Sequence, residues 1–216
     1  MKENFIPVKK TARYFTIGEI TPGIQRVWIV LHGYGQPASE FLENFSVFDD
    51  GSTLIIAPEG LSKFYTSGLY GNVGASWMTK DDRLNEIRDY IRYLDSIYNM
   101  VNTSIDLKNI EVNLLGFSQG TSTLIRWLEN SQIKAKNIIL WSGSFPDDVD
   151  PLNVRSYLNS TKLHLMLGKY DKIIDHKKAD ERIIRLKKAG IRFSLNLFEG
   201  KHEIPQQTLR DLMRYL

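Results

Sequence analysis

The chain has 216 residues, and its 42% apolar and 11% aromatic content is enough to fill the core of one domain, which we expect to span residues 1–216. It has no cysteine, which excludes disulfides, thiolate metal sites and a cysteine nucleophile, and its net charge of +3 does not favour nucleic-acid binding. The first residues lack the apolar core of a signal peptide and no apolar run is long enough to span a membrane, so we expect a cytoplasmic protein without stable membrane insertion.

Two β-rich runs open the chain, residues 12–17 and residues 27–31, with the turn sequence Thr21-Pro22-Gly23 between them. We expect them to enter a sheet in an antiparallel arrangement. The second run is almost entirely apolar, which is typical of a strand buried on both faces. It ends in His32-Gly33-Tyr34-Gly35, and the glycines of such a loop allow backbone N–H groups to face a cleft.

Aromatic residues and glycines are interleaved between residues 61 and 79, after a further apolar strand over residues 53–57. This segment has neither helical nor strand periodicity, so we expect a loop of about twenty residues. Loops of this length are uncommon in compact domains and are usually functional. We expect it to form a wall of a substrate pocket suited to an acyl chain or ring, or else to plug the edge of the core. Its aromatic residues are Phe64, Tyr65, Tyr70 and Trp77.

The rest of the chain alternates between helical and strand patterns. Strands are expected over residues 110–115, 137–141, 162–167 and 193–198, and helices over residues 81–101, 121–130, 176–189 and 205–216. Residues 145–159 form either a connection or a short helix. Alternation of this kind predicts an α/β fold with a mostly parallel sheet that is covered by helices on both faces.

The sequence Gly116-Phe117-Ser118-Gln119-Gly120 joins the strand over residues 110–115 to the following helix. Gly-x-Ser-x-Gly in this position is typical of a sharp turn that holds a serine hydroxyl at the carboxyl end of a sheet. Ser118 is therefore the candidate nucleophile. The backbone N–H groups of Tyr34 and Gln119 are the candidate oxyanion hole.

A serine nucleophile needs a base, and the base needs an acidic partner that orients it. His202 is the histidine that follows both a strand and a glycine, and Asp171 lies in the loop after the strand that ends at residue 167. The chain order Ser118, Asp171, His202 is the order that this architecture requires. We expect the three side chains to meet at the carboxyl edge of the sheet.

From about Val27 onward the chain resembles the phospholipase/carboxylesterase family of α/β hydrolases, which includes acyl-protein thioesterases. The resemblance rests on Leu31-His32-Gly33-Tyr34-Gly35, Gly116-Phe117-Ser118-Gln119-Gly120, Trp141-Ser142-Gly143, residues 168–174 and Gly200-Lys201-His202-Glu203. It implies an α/β-hydrolase fold without a large lid domain and a triad of Ser118, Asp171 and His202. It also implies a hydrolase of carboxylic esters or thioesters that needs no cofactor. We expect small-molecule ester or thioester substrates with short to medium acyl chains, no metal, and a monomer or homodimer. The family usually has Asp where this chain has Gln36.

Two other functions fit the same residues. A non-catalytic protein of this fold would bind a small apolar ligand between the aromatic side chains, although a binding protein has no need of all three triad residues. A peptidase or lactonase would use the same triad on a different bond, and the triad alone does not distinguish these reactions because all of them are acyl transfers.

Overall fold

A computed structural model describes residues 1–216. Its strands are β1 (Tyr14–Ile17), β2 (Arg26–Leu31), β3 (Thr53–Pro58), β4 (Ser62–Tyr65), β5 (Val73–Ser76), β6 (Glu111–Phe117), β7 (Asn137–Trp141), β8 (Lys162–Gly168) and β9 (Ser194–Phe198). Its helices are α1 (Ala38–Glu43), α2 (Arg83–Ser104), α3 (Gln119–Asn130), α4 (Pro151–Asn159), α5 (His176–Lys188) and α6 (Gln206–Tyr215), with a 3₁₀ turn at Ser46–Phe48.

Seven strands form the main sheet in the order β1-β3-β2-β6-β7-β8-β9. Every pair is parallel except β1 with β3. The prediction of a mostly parallel sheet is therefore confirmed. The first strand is antiparallel as expected, but its neighbour is β3 and it does not pair with β2.

The two faces of the sheet carry two separate apolar cores, because side chains alternate along each strand. On β2, Val27 and Ile29 contribute to one core, whereas Trp28 and Val30 contribute to the other. The first core packs against α2, α3, α4 and α5, and the second packs against α1 and α6. Helices thus cover both faces, and the carboxyl ends of the parallel strands stay open at one edge.

The prediction of an unstructured loop over residues 61–79 is wrong. β4 and β5 form an antiparallel hairpin that is separate from the main sheet. Its strands have four residues each and one of them contains Gly74, so their pattern is too short and too interrupted to predict. The hairpin also makes a tertiary contact, since the Gly35 N–H donates to the Ala75 carbonyl oxygen at 2.8 Å.

None of the helices combines the length and the apolar character that crossing a membrane requires.

Candidate active site

Ser118 occupies a strained turn between β6 and α3. Its backbone has φ 54° and ψ −115°, a conformation that costs a non-glycine residue about 1–3 kcal/mol. The turn is tight because a Cβ on Gly116 would overlap the Gly120 carbonyl oxygen, and a Cβ on Gly120 would lie 2.9 Å from the carbonyl oxygen of His32. The Ser118 N–H donates to the Trp141 carbonyl oxygen at 2.9 Å, which ties the turn to β7.

The structure brings the three predicted side chains together. The loop after β8 carries Asp171 and the loop after β9 carries His202. The Ser118 hydroxyl lies 2.9 Å from His202 Nε2, and His202 Nδ1 lies 2.7 Å from Asp171 Oδ2. Residues that are 84 and 31 positions apart in sequence are therefore in direct hydrogen-bonding contact.

Asp171 is held as a buried carboxylate, with 1% of its surface exposed. Burial alone would raise its pKa, but hydrogen bonds from His202 and from the N–H groups of Ile173 and Ile174 outweigh burial, and the pKa lies below its usual value. Asp171 Oδ1 accepts these backbone bonds at 2.9 and 3.2 Å. An ionised acceptor at Nδ1 keeps the proton of a neutral His202 on that nitrogen, so Nε2 faces Ser118 as an acceptor.

Hydrogen bonds from β7 and from the loop after β8 hold the loop that carries His202. The Trp141 indole N–H donates to the Glu203 carbonyl oxygen at 2.9 Å, and the Tyr170 N–H donates to the Gly200 carbonyl oxygen at 3.0 Å. The imidazole also packs on Phe117, with ring centroids 5.0 Å apart. These contacts orient the base without help from a ligand.

The backbone N–H groups of Tyr34 and Gln119, both near Ser118, have no acceptor within the protein. The neighbouring N–H groups of the same loop are in use, since Gly35 donates to Ala75 and Gln36 donates to the Gly33 carbonyl oxygen at 3.3 Å. Of the two predicted donors, the Tyr34 N–H lies in the loop after β2 and the Gln119 N–H lies at the start of α3. The helix dipole favours negative charge at the second position.

His32 is a structural residue of this site that sequence reasoning left without a role. Its Nδ1 donates to the Gly33 carbonyl oxygen at 2.7 Å, and its Nε2 accepts from the Gly60 N–H at 2.9 Å. Only the neutral imidazole makes both bonds. Burial lowers the pKa of His32 to about 4, against the opposing effects of the Gly33 hydrogen bond and the charge of Glu59. The signal available in the sequence was a histidine placed directly at the end of a buried strand.

The sequence predicted a role for the backbone N–H of Gln119 but none for its side chain. Its Oε1 accepts from the Trp77 N–H at 3.1 Å, and its Nε2 donates to the Met78 carbonyl oxygen at 2.8 Å. This carboxamide joins the start of α3 to the segment after β5. The contact spans more than forty residues, and no local pattern indicates it.

The four aromatic residues expected to line a pocket have different positions. Phe64 packs against Tyr34 with ring centroids 5.0 Å apart. Tyr34 belongs to residues 32–36, the loop that carries a candidate oxyanion donor and is called the oxyanion loop below. Tyr65 and Tyr70 are exposed, at 52% and 93%. Trp77 is 1% exposed, stacks on His32 and donates its indole N–H to the His32 carbonyl oxygen, so it supports the core edge.

A cavity of about 570 Å³ lies between the N-terminal segment and α2, and Leu61 and Trp77 are among its lining residues. None of the three candidate catalytic residues lines it. It is therefore separate from the hydrogen-bonded serine.

Comparison with known proteins places this geometry in context. The sequence matches the family described as Phospholipase/Carboxylesterase over residues 14–216. A comparison with functionally curated proteins found no match.

Solved structures with a similar fold include esterases and a thioesterase. The esterase PE8 has a TM-score of 0.71 and 19% identity, covering 95% of this chain and 99% of that chain. Zea mays acyl-protein thioesterase 2 has a TM-score of 0.72 and 14% identity, with coverage of 95% and 97%. The Bacillus cereus carboxylesterase has a TM-score of 0.65 and 13% identity, with coverage of 94% and 92%. At these identities the similarity establishes the α/β-hydrolase fold. Because the family match spans residues 14–216, the chain belongs to the phospholipase/carboxylesterase family and is a hydrolase of the esterase type.

Proposed function

We propose that the protein is a serine hydrolase that cleaves small-molecule carboxylic esters or thioesters of short to medium acyl chains through an acyl-enzyme intermediate. The observation that carries the proposal is the hydrogen-bonded chain from Ser118 Oγ through the His202 imidazole to Asp171, with contacts of 2.9 and 2.7 Å. A binding protein gains nothing from a strained serine backbone paired with an oriented base.

In the first half of the reaction, His202 Nε2 takes the proton from Ser118 Oγ as that oxygen attacks the substrate carbonyl carbon. The carbonyl oxygen becomes an anion, which the N–H groups of Tyr34 and Gln119 bind. A donor of this kind contributes roughly 3 kcal/mol to transition-state stabilisation. The protonated His202 then gives its proton to the leaving alcohol or thiol, and Ser118 carries the acyl group.

In the second half, water attacks the acyl-enzyme. His202 takes a proton from the water, the same two N–H groups bind the new oxyanion, and the proton passes to Ser118 Oγ as the carboxylic acid leaves. Asp171 stays ionised throughout and stabilises the imidazolium that forms in each half. The reaction consumes one ester and one water and requires no cofactor.

Covalent labelling of Ser118 tests the proposal. A fluorophosphonate probe should modify the wild-type protein at Ser118, and Ser118→Ala should be neither labelled nor active on p-nitrophenyl acetate or butyrate. Saturable binding of these esters without turnover or labelling would instead favour a non-catalytic binding protein. Turnover of a peptide or lactone at a far higher rate than of any ester or thioester in a substrate panel would favour the other acyl-transfer reactions.

A further inference from the structure

Gln36 lies at the end of the oxyanion loop and is half-buried. Its Oε1 accepts a hydrogen bond from the Gly33 N–H at 2.8 Å, and its own N–H donates to the Gly33 carbonyl oxygen at 3.3 Å. An N–H can bond only to an acceptor, so the oxygen of the carboxamide must be the atom that faces Gly33. Nε2, with its two hydrogens, is therefore the end of the carboxamide that does not contact Gly33.

These two hydrogens have no acceptor within the protein, because the contact with Gly33 is the one hydrogen bond that the side chain makes. The carboxamide is also close to the nucleophile. A Cβ placed on Gly33 would lie 3.0 Å from Gln36 Oε1 and 3.1 Å from Ser118 Cβ. The carboxamide thus lies in the same part of the site as the serine, and the hydrogen bond from the Gly33 N–H holds its oxygen in place.

Two other polar side chains close to Ser118, those of Gln119 and Thr121, already have hydrogen-bond partners. The carboxamide of Gln119 bonds at both ends, to Trp77 and Met78. The hydroxyl of Thr121 donates to the Ser118 carbonyl oxygen at 2.7 Å. An oriented donor that remains unpaired beside a nucleophile provides directional recognition at little entropic cost, because its side chain is ordered before the substrate arrives.

We propose that Gln36 Nε2 donates a hydrogen bond to a substrate oxygen close to the scissile carbonyl. The enzyme would then prefer esters that carry an ether, hydroxyl or carbonyl oxygen on the acyl chain or on the alcohol. This inference rests on the proposed function and adds the substrate class to it. Gln36 thereby acts as a specificity residue, in addition to holding Gly33 in place.

Matched pairs of esters test the inference, each pair differing only by an oxygen in place of a methylene. On the acyl side these are p-nitrophenyl methoxyacetate and p-nitrophenyl butyrate, and on the alcohol side 2-methoxyethyl butyrate and n-butyl butyrate. The measured quantity is the ratio of kcat/KM within each pair, compared between wild type and variant. Differences in intrinsic reactivity cancel in that comparison.

Two variants remove the donor in different ways. Gln36→Glu keeps an acceptor for the Gly33 N–H, and Gln36→Met keeps only the length and bulk of the side chain. Each should lower the preference for the ether substrate by roughly 3- to 10-fold in at least one pair, as expected for the loss of one hydrogen bond. Gln132→Glu makes the same chemical change at an exposed position after α3, at the opposite end of the sheet, and should leave both ratios unchanged.

Unchanged ratios in both pairs overturn the inference, even where both variants hydrolyse every ester more slowly, because a uniform loss reflects only the contact with Gly33. Fluorophosphonate labelling of each variant at Ser118 establishes that the site is folded. A wild-type protein that is neither labelled nor active removes the proposed function and this inference together. An active, labelled protein with unchanged ratios removes this inference alone.

Discussion

At the residue scale, the arrangement separates the roles of Asp171 and His202. His202 contacts the serine, whereas the Asp171 carboxylate bonds to the far side of the imidazole and to N–H groups of its own loop. In the proposed mechanism Asp171 therefore acts by fixing which nitrogen carries the proton. This role needs the carboxylate charge and its position but no contact with substrate.

Replacing Asp171 by Asn should lower kcat roughly 10³- to 10⁴-fold, because an amide donor facing Nδ1 favours the tautomer with the proton on Nε2. Steady-state hydrolysis of p-nitrophenyl butyrate measures the effect. Asp175→Asn is the matched control, since Asp175 caps α5 by accepting from the Lys178 N–H at 3.2 Å and has no contact with the triad. Equal losses in the two variants would show that the Asp171 charge has no special role.

His32 makes the stability of the protein sensitive to acid. Its pKa is about 4 in the folded protein against an ordinary value of 6.5, so unfolding takes up a proton between these two pH values. The free energy of unfolding should therefore fall as pH decreases from 6.5 towards 4, by about 3 kcal/mol from this one group. The lowered pKa of Asp171 acts in a more acidic range, below the ordinary aspartate value of 3.8.

Urea unfolding at several pH values between 7 and 4 measures this dependence. His32→Gln should be less stable at neutral pH, because it keeps only part of the hydrogen bonding, but its stability should vary less with pH. Gly23→Ala is the control, since a Cβ at Gly23 meets nothing closer than Thr21 Oγ1 at 3.8 Å, and it should retain the wild-type dependence. A His32→Gln curve parallel to that of the wild type would contradict the assignment.

The triad could be predicted from the sequence, since each member follows a recognisable strand and the chain order restricts the choice. The structural roles of His32 and of the Gln119 side chain could not be predicted in this way. Their partners Gly60 and Trp77 belong to the segment after β3, and that segment has no periodic pattern that would place it against the loop. Contacts between irregular segments are set by tertiary packing, which local propensity does not report.

At the element scale, the β4–β5 hairpin packs directly against the oxyanion loop. A Cβ on Gly74 would overlap the Gly35 carbonyl oxygen and lie 2.8 Å from the Gly35 carbonyl carbon. The two backbones therefore approach as closely as glycine allows. The position of the Tyr34 N–H thus depends on the hairpin, although the hairpin lies outside the main sheet.

We predict that Gly74→Ala displaces this loop and lowers kcat about 10- to 100-fold, part of the loss expected for removing one oxyanion donor. The KM for p-nitrophenyl butyrate should change less than kcat, because the oxyanion forms only in the transition state. Gly23→Ala is the control, since a Cβ at Gly23 meets nothing closer than Thr21 Oγ1 at 3.8 Å. A Gly74→Ala variant with wild-type kcat would show that the oxyanion loop keeps its position without the hairpin.

At the scale of the whole molecule, a charged cluster joins three parts of the chain. Arg126 of α3 forms a bidentate ion pair with Asp148, with hydrogen bonds of 3.0 and 2.8 Å. Arg83 of α2 forms a second ion pair with the same carboxylate at 2.7 Å. The hydrogen bonds from Arg126, opposed by burial and supported by Arg83, hold the pKa of Asp148 well below its ordinary value. Arg126 is only 7% exposed, so its charge depends on this partner.

Asp148→Asn should lower the free energy of unfolding by about 3 kcal/mol, because it leaves a buried guanidinium without its counter-ion. Asp211→Asn breaks an exposed pair with Arg214, whose side chains are 45% and 74% accessible, and should cost less than about 1 kcal/mol. Chemical denaturation of both variants gives the comparison. Similar small losses would show that water reaches Arg126 and compensates its charge.

The chain order of the site also determines when it is completed during synthesis. β9 is the last strand of the main sheet, and the loop after it supplies His202. A nascent chain folded as far as β7 already holds Ser118 in its turn but has neither acid nor base. In the proposed mechanism the nucleophile is thus synthesised before the acid and the base, and a chain that stops before residue 202 lacks the group that would activate Ser118.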